Sequence, residues 1–230
     1  MTPGQAVRKL LGPQFSRVVG RHYRAAFVDL ALVASALAAE IPRDARVLDV
    51  GGGDGEPLNH LLALRPDIEL VTIDVADEVG RWIDMRHAHR VRCLPRTSVQ
   101  DYAAMGQRPP DVVITSDVLH HVPAAVRRGF IAGLTSLFDR SAPAMLLVKD
   151  VEPGHLRATL GYWSDRYVTG DRSVQLISRA ELSALVQTVD STFACRETGL
   201  FAADAPNYAL VFTRPPAASG AAFNDRRPTP

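Results

Sequence analysis

The chain has 230 residues, with 26 basic and 25 acidic side chains and a formal net charge of +1. That length suits one domain with appendages and a core that needs no staples, and the 47% apolar share excludes wholesale disorder. The near-zero charge argues against nucleic acid or another polyanion as partner, and Cys93 and Cys195 alone make neither a disulfide framework nor a zinc cluster, so a cytoplasmic location is expected.

Residues 1–24 carry Arg8, Lys9, Arg17, Arg21 and Arg24 and no acid, with Leu10, Leu11, Phe15, Val18 and Val19 at helix-like spacing. Residues 1–44 therefore read as a helical arm that packs on the body or closes over a site as a lid. Phe27–Ala39 is apolar with helical periodicity, but Ala31–Ala39 is too short to span a bilayer, and no secretion signal is recognisable. No membrane span is expected. Ile41-Pro42-Arg43-Asp44 is a turn signal.

A regular alternation follows. Arg46–Val50, Ile68–Asp74, Val91–Leu94, Val112–Ser116 and Ala144–Lys149 read as strands. Leu58–Ala63, Val79–Met85 and Ala124–Leu137 read as helices. Strands alternating with helices predict a doubly wound α/β fold around a parallel sheet. Residues 151–176 are irregular. Ser178-Arg179-Ala180-Glu181 is a capping box that opens a helix reaching about Val189. Thr192–Thr198 and Tyr208–Thr213 have no helix between them and predict an antiparallel hairpin at one edge of the sheet. The main domain is thus 45–214, and the Pro/Ala/Gly-rich stretch 215–230 reads as a disordered tail.

Asp49-Val50-Gly51-Gly52-Gly53-Asp54-Gly55 sits where the first strand meets the first helix, at the carboxyl edge where open parallel sheets bind ligands. Asp74 ends the next strand, 23 residues after Gly51, placed to accept from ribose hydroxyls. A nucleoside-containing ligand is implied. A dinucleotide fingerprint would need glycine where Glu56 stands, and Asp54 and Glu56 would repel a pyrophosphate at the helix N-terminus. No Gly-Lys-Ser/Thr follows, which excludes a P-loop. The acids suit a cationic ligand with an amino group.

Asp49-x-Gly51-x-Gly53-x-Gly55 resembles motif I of class I S-adenosylmethionine-dependent methyltransferases. Asp74 is similar to their ribose-binding acid, and Asp111-Val112-Val113-Ile114-Thr115-Ser116-Asp117-Val118-Leu119-His120-His121 resembles the fourth-strand motif of their small-molecule and quinone-biosynthesis branch. The resemblance covers residues 45–214 and implies a Rossmann-like, seven-stranded, mostly parallel sheet. It implies S-adenosyl-L-methionine as cofactor and methyl transfer to a small-molecule acceptor at O, C or N. On it, Gly51, Gly52 and Gly53 contact the methionine part. Asp49 holds the loop and the ammonium, Asp74 binds the ribose with Val75 beside the adenine, and Asp117 lies near the amino-acid end. Where the family often has a Gly-Asp pair after the third strand, this chain has Thr97-Ser98-Val99-Gln100-Asp101. Ser98 with Val99 is the favoured match in register, and Asp101 is the alternative, unless it only caps the next helix.

Methyl transfer is mainly a matter of positioning the acceptor. If a base is used, His121 is the first candidate and His120 the second. Asp117 and Asp150 both end strands on the ligand side, but Lys149-Asp150 is not the Asp-Asn pair of catechol-type enzymes, and no metal is expected. Tyr162, Trp163, Arg166 and Tyr167 form a candidate acceptor wall for a planar or apolar substrate. A homodimer is compatible with the sequence. The alternatives are a non-methylating or non-catalytic S-adenosylmethionine-binding protein and an NAD-linked oxidoreductase, the latter weakened by Glu56.

Overall fold

The structure is a computed structural model that describes residues 30–154, 174–202 and 205–216. Most of the N-terminal arm, the 155–173 segment with Tyr162, Trp163, Arg166 and Tyr167, and most of the C-terminal tail lie outside the described residues. Seven strands form one sheet: β1 (Arg46–Val50), β2 (Glu69–Ile73), β3 (Val91–Leu94), β4 (Val112–Ser116), β5 (Ala144–Val151), β6 (Ala194–Glu197) and β7 (Asn207–Arg214). Their order is β3-β2-β1-β4-β5-β7-β6. The first five are parallel neighbours, and β7 runs antiparallel to both β5 and β6. The predicted hairpin is therefore present, with its second strand inside the sheet and β6 at the edge.

Among the described residues five helices cover the sheet: α1 (Leu30–Glu40), α2 (Leu58–Leu64), α3 (Val99–Ala104), α4 (Ala124–Ser136) and α5 (Arg179–Val189). Successive strand residues point to opposite faces, and the buried residues divide accordingly. Leu48, Val50, Val113, Leu146 and Val148 join Ile131 and Leu134 of α4 and Leu182 and Val186 of α5 in one core. Val47, Val112, Ile114 and Leu147 join Val33 and Leu37 of α1 and Leu61 and Leu62 of α2 in the other. The central strands are apolar on both faces because each face carries helices.

Two local expectations differ. Val79–Met85 is not a helix: Gly80 has φ 71° and Asp84 is extended, so the chain turns, and a 3-10 helix forms only at Met85–Arg90. Conversely α3 is a helix the periodicity does not predict. Its six residues are started by a capping box in which Ser98 Oγ accepts from the Asp101 N–H while the Asp101 carboxylate accepts from the Ser98 N–H. The expected Ser178–Glu181 box is present at α5.

The order reverses between β1 and β4. Residues Val50, Ile73 and Thr115 lie in register there, so the carboxyl ends of β2, β1, β4 and β5 form one continuous edge with a crevice at the switch point. On its far side β7 is fixed to the rest of the core by Tyr208, whose buried hydroxyl donates to the Ile177 carbonyl at 3.0 Å. Tyr208→Phe leaves that carbonyl without its partner and is expected to lower stability by about 1–2 kcal/mol, read from the denaturant midpoint at unchanged slope.

Candidate functional site

The glycine loop is shaped by steric necessity. Asp49 of β1 lies in register with Thr72 of β2, and the Thr72 hydroxyl donates to the Asp49 carboxylate at 2.8 Å in a buried setting. The loop folds back over this pair so closely that a Cβ on Gly52 would overlap both Thr72 Oγ1 and the Asp49 carboxylate. Gly51 has φ 79° and its Cα faces the side chain of Val118, so a side chain there is excluded twice. Gly53, by contrast, faces open space.

The amides of this loop are already used. The N–H groups of Gly51 and Gly52 donate to the Ile73 carbonyl at 2.9 and 3.3 Å, and that of Gly53 donates to the Asp74 carboxylate at 3.0 Å. The segment after β2 grips the loop from outside, through Gly80 N–H to the Gly53 carbonyl and Trp82 N–H to the Asp54 carbonyl. These three glycine amides cannot cradle a phosphate, and the acid that stands among them would repel one.

Asp49 and Asp74 lie close but differ in burial. Burial pushes the Asp49 carboxyl up to about 7, against the lowering effect of the Thr72 hydrogen bond, and the nearby Asp74 charge adds to the rise. Asp74 is only half-buried. One of its oxygens accepts from Gly53 N–H and the other from Ala76 N–H at 2.9 Å, which fixes the carboxylate while lone pairs remain for hydroxyl donors. Val75 beside it is 75% exposed, an apolar platform at the strand end. Open space over Gly53, an anchored acid and an exposed aliphatic surface fit a nucleoside with a cationic tail.

The other half of the edge carries an ion pair and a histidine–carboxylate hydrogen bond. Lys149 Nζ donates to both oxygens of Asp117 at 2.6 and 2.7 Å. His120, buried, makes a 2.6 Å hydrogen bond through Nδ1 to Asp150 Oδ1, and that oxygen also accepts from the Val151 N–H. Asp150 is fully buried. The rings of His120 and His121 are 4.1 Å apart, with His121 on the exposed side. Asp117, His120 and Asp150 each offer an atom within 4.8 Å of the others, a grouping able to hold a metal ion; both Asp117 oxygens are already engaged by the Lys149 ammonium.

Of the residues the sequence points to, Asp49, Gly51, Gly52, Gly53, Asp74, Val75, Asp117, His120 and His121 all lie along this one edge. Ser98 and Val99 follow β3: Ser98 is engaged in capping α3, and Val99 is buried in the core. Thr72, Val118 and Lys149 escape sequence reasoning, as does the pairing of Asp150 with His120. The register of β2 on β1 sets Thr72 beside Asp49, and that of β5 on β4, which aligns Ser116 with Lys149, sets Lys149 and Asp150 beside Asp117 and His120.

Fold and edge together define a nucleoside-cofactor-binding α/β domain. The chain belongs to the methyltransferase-domain family, whose model matches residues 21–192. Among solved structures it is similar to an O-methyltransferase family protein from Burkholderia thailandensis (19% identity, TM-score 0.60, 79% of this chain and 55% of that one). It is also similar to the mitomycin 7-O-methyltransferase MmcR (20%, 0.60, 80% and 54%). A third is the Burkholderia thailandensis 1,6-didemethyltoxoflavin-N1-methyltransferase with bound 1,6-didemethyltoxoflavin and S-adenosylhomocysteine (18%, 0.59, 93% and 90%). The chain spans about half the length of the first two. No curated protein matches the sequence.

Because the folded Asp49 holds a proton up to about pH 7 that the unfolded chain releases near 3.8, stability contributed by this group falls as pH rises between those values. Asp49→Asn removes the titration. The melting temperature of the variant relative to the unliganded wild type is expected to rise from pH 4 to pH 7 and then level off, as thermal melts in a pH series will show.

Proposed function

We propose that this protein transfers a methyl group from S-adenosyl-L-methionine to a small-molecule acceptor. The observation that carries the reading is the arrangement of Asp74, exposed Val75 and a glycine loop whose amides are turned inward. This edge offers a ribose-binding acid and an apolar surface but no phosphate cradle, which supports a nucleoside with a cationic tail over a dinucleotide.

When bound, the cofactor supplies an electrophilic methyl group for in-line displacement. The residues of the chain do the rest. Asp74 accepts from the ribose hydroxyls, Val75 backs the adenine, and the open space over Gly53 lets the ligand approach the backbone. Asp49 lies beneath the loop with a proton affinity that a nearby cation would lower. Orientation of the acceptor against the methyl group is worth roughly 7–11 kcal/mol in well-aligned reactions.

For an acceptor that must lose a proton, we assign the base to His120 rather than His121. Asp150 is at hydrogen-bond distance from Nδ1 and in that arrangement holds the proton there, so Nε2 carries the lone pair. The acceptor proton passes to Nε2, and the resulting imidazolium is stabilised by the Asp150 carboxylate. Tyr162, Trp163, Arg166 and Tyr167 are our candidates for the acceptor wall. The full-length similarity to an enzyme that holds 1,6-didemethyltoxoflavin supports a planar heteroaromatic acceptor.

Calorimetric titration tests the cofactor reading. S-adenosylhomocysteine is expected to bind, Asp74→Ala to weaken it by about tenfold or more, and NAD to bind no better to wild type than to that variant. Tight NAD binding without S-adenosylhomocysteine binding overturns the reading. In a screen of phenols and fused nitrogen heteroaromatics for S-adenosylhomocysteine release, His120→Gln is expected to lower kcat by about 10²–10⁴-fold, with cofactor affinity unchanged.

A further inference from the structure

The turn after β4 holds a feature that methyl transfer itself does not call for. Asp117 has φ 58°, in the left-handed region that an aspartate adopts only at a cost. Two contacts from one residue hold it there. The Asp117 N–H donates to the Lys149 carbonyl at 2.9 Å, and Lys149 Nζ grips both carboxylate oxygens. The Lys149 side chain is 4% exposed and the Asp117 side chain 48%, so a buried ammonium is committed to an acid at the rim of the crevice. Lys149 is one of only two lysines in a chain otherwise supplied with arginine, and its compact ammonium on a flexible stem fits where a planar guanidinium would need more room.

The consequence reaches the glycine loop through the next residue. Val118 packs its side chain on Gly51, so the conformation of Asp117 sets the wall at the start of the loop. Strand order gives the direction. β4 is two strands from β2, about 10 Å at the usual spacing. A ligand with its ribose on Asp74 at the end of β2 that passes over Gly51–Gly53 therefore meets the Asp117 turn with the end opposite the nucleoside.

Resting on the cofactor reading above, we propose that Lys149 is a positioning residue for the amino-acid end of the cofactor. By clamping Asp117 it holds the left-handed turn that seats Val118 against Gly51, and it leaves the remaining lone pairs of that carboxylate for the ammonium of the ligand. Lys149 acts through Asp117 and Val118, not on the reacting atoms.

Two probes separate this role from general stability: S-adenosylhomocysteine, which carries the amino-acid end, and 5′-methylthioadenosine, which lacks it. In titrations of the full chain, Lys149→Met is expected to weaken S-adenosylhomocysteine by about tenfold or more while 5′-methylthioadenosine stays within about twofold. Asp117→Asn, whose amide tolerates the left-handed turn at a half-exposed site, is expected to show the same selective loss without endangering the fold. The double variant should be no weaker than the worse single one, since both act through one contact. Equal losses for the two probes, or S-adenosylhomocysteine binding unchanged in Lys149→Met, overturn the role of Lys149 alone. Wild-type protein that binds neither probe overturns the cofactor reading and this proposal with it.

Discussion

The approach of Gly52 to the Thr72–Asp49 pair governs the ligand edge. Because no Cβ fits between the loop and that pair, the backbone after β1 has a single close path, and on that path the Gly51 and Gly52 amides point at the Ile73 carbonyl. The loop becomes a ledge tied to β2 instead of an anion cradle. Gly53 then reaches Asp74, so the same path that uses up the amides also anchors the Asp74 carboxylate. Shape and ligand preference follow from one steric constraint.

Four carboxylates line the edge, and each is kept by a different partner. Asp49 has a hydroxyl and burial, Asp74 has two backbone amides, Asp117 has an ammonium, and Asp150 has an imidazole. The partners divide the work: a group near neutrality, a fixed acceptor, a neutralised clamp and an orienting counter-ion. Environment, not residue type, separates these roles. The order along the sheet matters too, because Asp49 and Asp74 on β1 and β2 are held by a hydroxyl and backbone amides, while Asp117 and Asp150 on the β4 and β5 side are held by the Lys149 ammonium and the His120 imidazole.

The strands were legible because central strands between two helical layers are short apolar runs bounded by turn residues, and Arg46–Val50 or Val112–Ser116 shows this plainly. The glycine loop and Asp74 were legible because they are local and regularly spaced. Val79–Met85 is not legible: its apolar residues suggest a helix, but Gly80 is left-handed and packs closely on Cys93 and Ile83, a tertiary demand that propensity does not carry. Helix α3 is too short for periodicity and is marked only by Ser98 and Asp101. His120 and Asp150 are 30 residues apart, and nothing between them signals that β4 and β5 are neighbours in register. Nothing local in the sequence ranks His120 against His121 as a base.

The position of β7 has a bearing on how the molecule is made. Strands β1 to β5 can assemble as the chain is synthesised, but β5 is flanked on its outer side by Asn207–Arg214, which comes last. Until that strand arrives, a row of unpaired backbone groups on an apolar strand stands open to any passing partner, at the very strand that carries Lys149 and Asp150. The antiparallel closure is a long-range pairing and thus a slow one. Asn207–Arg214 is thus what shields β5, and with it the strand end that carries Lys149 and Asp150, from edge-to-edge pairing with a second chain.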